Sequence, residues 1–305
     1  MGKVKRRRGQ RKTIRKPDIE IVVNETSGLL EFLLKNLNKY SRNNVKSLLS
    51  HREVFVDGKV VTQFDYELHE GQKIRIAQPA TKIEKQAELL DIVFEDDDII
   101  VINKPAGLLS MSTEKEKHMT AYHILTEYMQ MKNTKSRVFI VHRLDRDTSG
   151  IIMFAKNEKM KMALQDKWAE IVATRAYVAV VEGVPDDKSG RIHTWLKETE
   201  TLLMYSSRVD GDGLEAITNY KVLKSGTDYS LVDISLETGR KNQIRVHMKE
   251  LGNSIVGDKK YGAKTNPLKR LALHAYKLEI THPFTDEMLT FETKVPKGFN
   301  GLIDK

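Results

Sequence analysis

The stretch His142-Arg143-Leu144-Asp145-Arg146-Asp147-Thr148-Ser149-Gly150, followed at once by Ile151-Ile152-Met153-Phe154-Ala155, organises the reading of this chain. Five consecutive apolar residues suit a buried strand and are too few for a helix. The Thr-Ser-Gly before them is turn chemistry. Two carboxylates and two guanidinium groups therefore stand within a few residues of core. Charge is costly to hold there unless it is paired, so an acid at such a place points to chemistry. Residue types alone do not separate Asp145 from Asp147, and an aspartate near such a turn commonly hydrogen-bonds local backbone.

Outward from that stretch, the second half of the chain is β-rich. Strands are expected over 99–103, 151–155, 176–182, 191–196, 216–223, 230–237 and 289–293, from their apolar and β-branched runs. Helices are expected over 121–129, over 158–171 behind an Asn157 cap, and over 240–251 before Gly252. Strands with interspersed helices predict an α+β architecture, a mixed and mainly antiparallel sheet flanked by helices. Upstream, Leu29-Leu30, Phe32-Leu33 and Leu37 recur at helical spacing, as do Val45, Leu48 and Leu49, with Ser41 or Asn43 as cap. Val54, Val56 and Val60-Val61 flank Asp57-Gly58, a type I′ hairpin signal, and Gly71 precedes the alternating Ile74 and Ile76. The expected organisation is a basic tail at 1–17, a small α/β module at 18–80, a linker at 81–89 and the larger domain at 90–305.

Composition narrows the function classes. The 305 residues are 40% hydrophobic and bury a sizeable core, and no run approaches the roughly 18 apolar residues of a membrane span. Without cysteine there is no disulfide framework, thiolate zinc site or iron–sulfur cluster. The net charge of +9 lies in Lys3, Lys5, Arg6, Arg7, Arg8, Arg11, Lys12, Arg15 and Lys16, because the remaining 42 basic residues match 42 acids. Such a tail seeks polyanions. A second cationic string, Arg42, Lys46, His51 and Arg52, lies on and just after the second helix. Asp210-Gly211-Asp212-Gly213 lacks the later ligands of a calcium loop and reads as a turn. Glu95-Asp96-Asp97-Asp98 reads as a solvated turn before a strand.

Five segments in one order carry a family resemblance: Asn103-Lys104-Pro105-Ala106-Gly107-Leu108, the His142–Gly150 run, Arg175-Ala176-Tyr177-Val178, Thr238-Gly239-Arg240-Lys241-Asn242-Gln243-Ile244-Arg245, and Gly257-Asp258-Lys259-Lys260-Tyr261-Gly262 with Leu273-His274-Ala275 behind it. Together they resemble the RluA-type pseudouridine synthases, which isomerise selected uridines inside folded RNA. Residues 19–78 resemble the αL RNA-binding module first known from a small-subunit ribosomal protein, on Ser41-Arg42, Leu48-Leu49, the Val-x-Val-Asp-Gly hairpin and Gly71.

The resemblance implies roles. Asp145 is the acid acting on the ribose, as nucleophile or as base. Tyr177 is the active-site aromatic, which stacks on the everted uracil while its hydroxyl reaches a polar partner. Arg245 pairs with Asp145 and lowers its pKa. Arg143 enters the space left by the flipped nucleotide. Lys104, on a turn set by Pro105 and Gly107, meets substrate phosphate, and Arg42, Lys46, Arg52 and Arg240 add RNA contacts. His142 is structural. Lys241-Asn242 stands where many relatives have Thr-His. The reaction needs no cofactor and no metal. The expected setting is a cytoplasmic monomer with RNA as partner, large-subunit ribosomal RNA foremost. Alternatives are transfer RNA, a non-catalytic ribosome-assembly factor, or more distantly a nucleosidase that would release uracil.

Overall fold

The computed structural model describes residues 18–38, 40–77, 90–114 and 116–304. The basic tail and the 81–89 linker expected from the sequence lie outside the described residues. Two compact units emerge, one within Thr13–Gln86 and one within Ala87–Lys305.

In the first unit, β1 (Ile19–Val22), β2 (Ser27–Gly28), α1 (Leu29–Asn36), α2 (Arg42–Ser50), β3 (Val54–Val56), β4 (Lys59–Val60), β5 (Glu67–Leu68) and β6 (Lys73–Ile76) follow in order. A sheet of order β1-β6-β3-β4 packs against the two helices. Leu29, Leu33, Val45, Leu49, Val54, Ile74 and Ile76 close an apolar core. The Ser41 hydroxyl accepts from the Asn44 amide at 3.3 Å, so Ser41 rather than Asn43 caps α2. Asp57 and Gly58 both have positive φ, 48° and 80°, as a type I′ turn requires. Arg52 also sits at positive φ, 61°, where the chain leaves α2 and the Glu53 amide bonds back to Leu48. That is a helix-ending position usually given to glycine.

The second unit is built on an eleven-stranded sheet. Its elements are β7 (Asp91–Glu95), β8 (Ile99–Lys104), α3 (Ala121–Lys132), β9 (Phe139–Ile140), β10 (Ser149–Ala155), α4 (Glu158–Asp166), α5 (Trp168–Ile171), β11 (Val172–Glu182), β12 (Ser189–Glu198), β13 (Met204–Ser207), β14 (Leu214–Ser225), β15 (Tyr229–Leu236), α6 (Gln243–Glu250), a 3₁₀ turn (Lys259–Tyr261), β16 (Leu273–Thr281), β17 (Met288–Glu292) and α7 (Lys297–Ile303). The order is β13-β12-β14-β15-β11-β16-β10-β8-β7, with β17 beside β16 and β9 beside β10. The β10–β16 pair is parallel and the other pairs of the ladder are antiparallel, so the mixed, mainly antiparallel α+β fold holds.

Three expectations change. The helix expected over 158–171 breaks at Lys167 into α4 and α5, with Asn157 capping the first through the Met160 amide. The helix expected from residue 240 begins at Gln243, because Asn242 takes the left-handed conformation at φ 54° and closes a turn. Residues 149–150, read as turn, open β10 instead. Gly150 holds φ 119°, and a Cβ there would lie 2.1 Å from the Ala275 carbonyl oxygen, so only glycine lets the parallel strands approach. No helix among the described residues is long and apolar enough to cross a membrane.

Candidate active site

Sheet order brings the site together. Ala275 on β16 pairs with Gly150 on one side and with Tyr177 on the other. The loop ahead of β10 and the aromatic of β11 are thereby separated by a single strand. A register shift between Ala176 and Tyr177 marks a bulge, the usual device for re-aiming a strand side chain.

The 141–148 loop is irregular yet held on every side. The His142 Nε2 accepts the Met153 amide at 2.9 Å, and burial, with Arg175 nearby, pulls its pKa down to about 3, so the ring is neutral and structural as expected. Leu144 is buried, and the Ser110 hydroxyl both donates to its carbonyl at 2.7 Å and accepts from its amide at 3.1 Å. The Arg146 carbonyl takes the Gly107 amide.

Lys104 departs from its expected role. Its side chain is fully buried, and Nζ donates to the carbonyls of Pro105 (3.1 Å), Leu108 (2.6 Å) and Arg146 (3.0 Å). Three acceptors match the three protons of an ammonium. Burial pulls its pKa down to about 7, against the raising influence of Asp147 and Asp145. A cation fastened this way welds the Pro-Ala-Gly turn to the aspartate loop and is out of reach of a phosphate.

Those pins present Asp145 and Arg143 outward. The Asp145 side chain keeps 22% exposure and accepts no hydrogen bond among the described residues. Its Oδ2 lies 3.9 Å from Nη1 of Arg245. Asp147 is more open and pairs with Nε of its neighbour Arg146, so of the two carboxylates Asp145 is the one that faces Arg245. Arg143 is exposed without a protein hydrogen bond among the described residues.

Arg245 sits in the first turn of α6 and is only 11% exposed. Its Nε and Nη2 form a two-pronged bond with Asp258, both at 2.7 Å, and Nη1 donates to Oδ1 of Asn242 at 2.9 Å. The guanidinium lies 4.7 Å from the centre of the Tyr261 ring. Tyr261 takes the Asn242 side-chain amide and the Met204 amide on its hydroxyl. Arg245 is thus committed to Asp258, with Asp145 as a looser neighbour. Burial is the larger influence on the Asp145 pKa and the net shift is upward, while Arg245 lowers it as expected, with Arg143 and Lys104 acting the same way. Gln243 anchors the turn before α6, its amide satisfied by Ile217, Thr218, Thr238 and the Arg240 amide.

Tyr177 is half-buried, and its phenol is pushed up to about 12 by burial, with Arg175 lowering it and Asp145 raising it. It stays protonated at neutral pH. Its hydroxyl has no protein partner among the described residues, contrary to expectation. Arg240 is exposed, and its Nε donates to the Glu215 carbonyl.

Residues missed by the sequence reading complete the site. Asp258, 1% exposed, and Asn242 hold Arg245. Arg270 donates to Ser149 Oγ (2.7 Å) and the Leu273 carbonyl (3.2 Å), and Ser149 in turn meets His274 at 2.7 Å, which clamps the parallel strand pair. The signal for Asp258 lay in its own segment, an acid beside glycine within an otherwise basic run. Among the described residues there is no metal-binding cluster of His, Cys, Asp and Glu.

A partly exposed acid, a guanidinium fixed by a second acid and a protonated tyrosine meet where the 141–148 loop, α6 and β11 converge. Residues 98–250 match the RNA pseudouridylate synthase family. The chain is 33% identical over 292 residues to an uncharacterized RNA pseudouridine synthase of Bacillus subtilis, covering 93% of this chain and 96% of that protein. It is also 33% identical over 291 residues to the ribosomal large subunit pseudouridine synthase D of Nitrosomonas europaea, covering 89% and 82%. Among solved structures, human RNA pseudouridylate synthase domain containing 4 superposes with a TM-score of 0.59 at 25% identity, over 72% of this chain and 92% of that one. The chain belongs to the RNA pseudouridylate synthase family and is an isomerase.

Proposed function

We propose that this enzyme converts specific uridines of structured RNA to pseudouridine, with large-subunit ribosomal RNA as the substrate, through Asp145, Tyr177 and Arg245. The observation that carries the reading is the Asp145 carboxylate: partly open, without a hydrogen bond among the described residues, and faced by a guanidinium that another acid already holds. In the reaction the N1–C1′ bond breaks, the uracil turns, C5 bonds to C1′, the C5 proton leaves and N1 gains one. Nothing is released but that exchanged proton. Asp145 acts on the ribose as nucleophile or base, and Arg245 keeps it ionised and oriented. Tyr177 supplies a neutral wall on which the freed base turns. Relatives named for the large ribosomal subunit support the choice of RNA.

Extracting the nucleotide is assigned to Arg143, whose planar cation fills the vacated stack. Arg240, and on the first unit Arg42, Lys46 and Arg52, track phosphates. The enzyme works as a monomer in the cytoplasm without a metal, so chelation leaves turnover unchanged. Asp145→Asn abolishes tritium release from C5-labelled transcript, by about 10⁴-fold or more, with RNA binding retained. Turnover surviving in that variant, or free uracil among the products, refutes the assignment. Mapping pseudouridines in total RNA with and without the gene separates ribosomal from transfer RNA.

A further inference from the structure

The first unit carries a groove that the catalytic reading leaves unused. It is open, about 450 Å³ in volume, and lined by Leu30, Glu31, Leu34, Arg42, Phe64 and Asp65. Phe64 is 61% exposed, the most exposed phenylalanine among the described residues. It is not a loose end. Its carbonyl accepts the Leu30 amide at 3.1 Å, and two residues on the Tyr66 carbonyl accepts the Leu29 amide at 2.8 Å, which fixes this segment against the start of α1.

Around that ring stand three charges without partners. Arg42, Glu31 and Asp65 line one groove, yet none makes a hydrogen bond or salt bridge among the described residues. Two exposed ion pairs form elsewhere on the unit, Lys35 with Glu25 and Arg75 with Asp18; what sets Arg42, Glu31 and Asp65 apart is that they line one groove with an exposed aromatic ring. An apolar platform with a few convergent polar groups is the general form of a small-ligand site. In a protein that acts on RNA, a platform of one aromatic and one arginine suits an unstacked nucleotide, base on the ring and phosphate on the guanidinium.

The two carboxylates sharpen the class of base. A surface meant only for phosphates would carry no acids. Carboxylates accept from N–H groups on a base edge. Guanine presents N1–H and the N2 amino group side by side, which suits a carboxylate's two oxygens. Uracil offers one N–H between two carbonyls, which a carboxylate repels.

We infer that this groove is a subsite for a single unpaired guanine of the RNA substrate, stacked on Phe64, read by Glu31 and Asp65, and with its phosphate held by Arg42. The inference rests on reading the first unit as an RNA-binding module, and it adds base selectivity to a surface otherwise assigned to phosphates. Such a subsite selects RNAs by a feature away from the target uridine.

The test uses the full chain carrying Phe64→Trp, with the pentamers UUGUU and UUUUU as probes and the Phe64 chain as the fluorescence background. UUGUU is expected to quench the new indole and to bind at least about fivefold tighter than UUUUU, with Glu31→Gln plus Asp65→Asn erasing the difference. Equal affinity for the two pentamers, or discrimination that survives the double substitution, overturns the inference. On a large-subunit ribosomal RNA transcript, Phe64→Leu weakens binding about tenfold at an unchanged urea midpoint. If Lys46→Ala with Arg52→Ala weakens transcript binding and Phe64→Leu does not, the guanine subsite falls while the module remains an RNA binder. If neither does, both readings fall.

Discussion

The two units treat charge in opposite ways. Among the described residues, every buried polar or charged side chain belongs to the catalytic unit, from Lys104 and Ser110 through Gln243, His247 and Asp258 to His274. The core of the first unit is apolar throughout, and its cations stand in water. Binding a polyanion needs only solvated charge, whose long side chains adapt to the partner. Reacting at one carbon needs charge that does not reorganise, and the catalytic unit locks Lys104, Arg245 and Asp258 to several partners before substrate arrives.

On that contrast, the largest effects belong to Asp145 and the locked ions that face it. After Asp145→Asn, the next largest loss comes from Arg245→Met, about 10²- to 10³-fold in single-turnover isomerisation. The pH profile tells counter-charge from mere scaffolding. Burial raises the Asp145 pKa and Arg245 lowers it, so removing the cation raises it further and moves the acid limb of activity to higher pH. Asp258→Asn, which removes a carboxylate that raises the same group, moves the limb to lower pH. Identical limbs in the two variants would break the comparison at its centre.

Stability comes second. Lys104→Met strands three carbonyls and is expected to cost about 3 kcal/mol in urea unfolding, whereas an exposed cation of the first unit such as Lys46, replaced by methionine, changes stability by less than about 0.5 kcal/mol. Acid acts through the buried imidazoles. The pKa values of His142, His247 and His274 are pulled down to about 3, 4 and 4, chiefly by burial. The unfolded chain therefore binds more protons than the folded one below about pH 6.5, and stability falls as pH drops from there toward 4. Each histidine contributes a slope of roughly 1.4 kcal/mol per pH unit. Trp168 and Trp195, the chain's two tryptophans, both lie in the catalytic unit and report that slope by fluorescence. A stability plateau between pH 6.5 and 4.5 would contradict it.

The smallest effects belong to the solvated face. Lys46→Ala with Arg52→Ala should weaken RNA binding a few-fold and flatten its log–log salt dependence by about two, with turnover at saturating RNA unchanged.

What the sequence disclosed follows the same division. Local devices were legible: the Ser41 cap, the Asp57-Gly58 hairpin and the strands flanking the site all appear where spacing placed them. Asp145, Tyr177 and Arg245 were legible through resemblance, and they come together. The environment of those groups was not. Lys104, between Asn103 and Pro105, reads as a surface lysine at a strand end, because its acceptors include a carbonyl 42 residues away. Asp258, 13 residues from Arg245, shows no helical or strand periodicity to announce the pairing. The larger effect on the Asp145 pKa, burial, was not legible, because desolvation is a property of the assembled loop, whereas the opposing, lowering influence of Arg245 was. β16 escaped notice as a strand, since Leu273-His274-Ala275-Tyr276-Lys277 alternates too little to stand out.

The seam between β10 and β16 has a consequence for how the enzyme is made. Ser149 and His274, which meet across it, are 125 residues apart, and the intervening β11 reaches its place only when β16 lies between it and β10. A growing chain that has not yet reached β16 carries Asp145 without its seat, its tyrosine or the strand that Gly150 must touch. Because such distant pairings form late, the seat of Asp145 is completed only after β16 has been synthesised and has docked between β10 and β11.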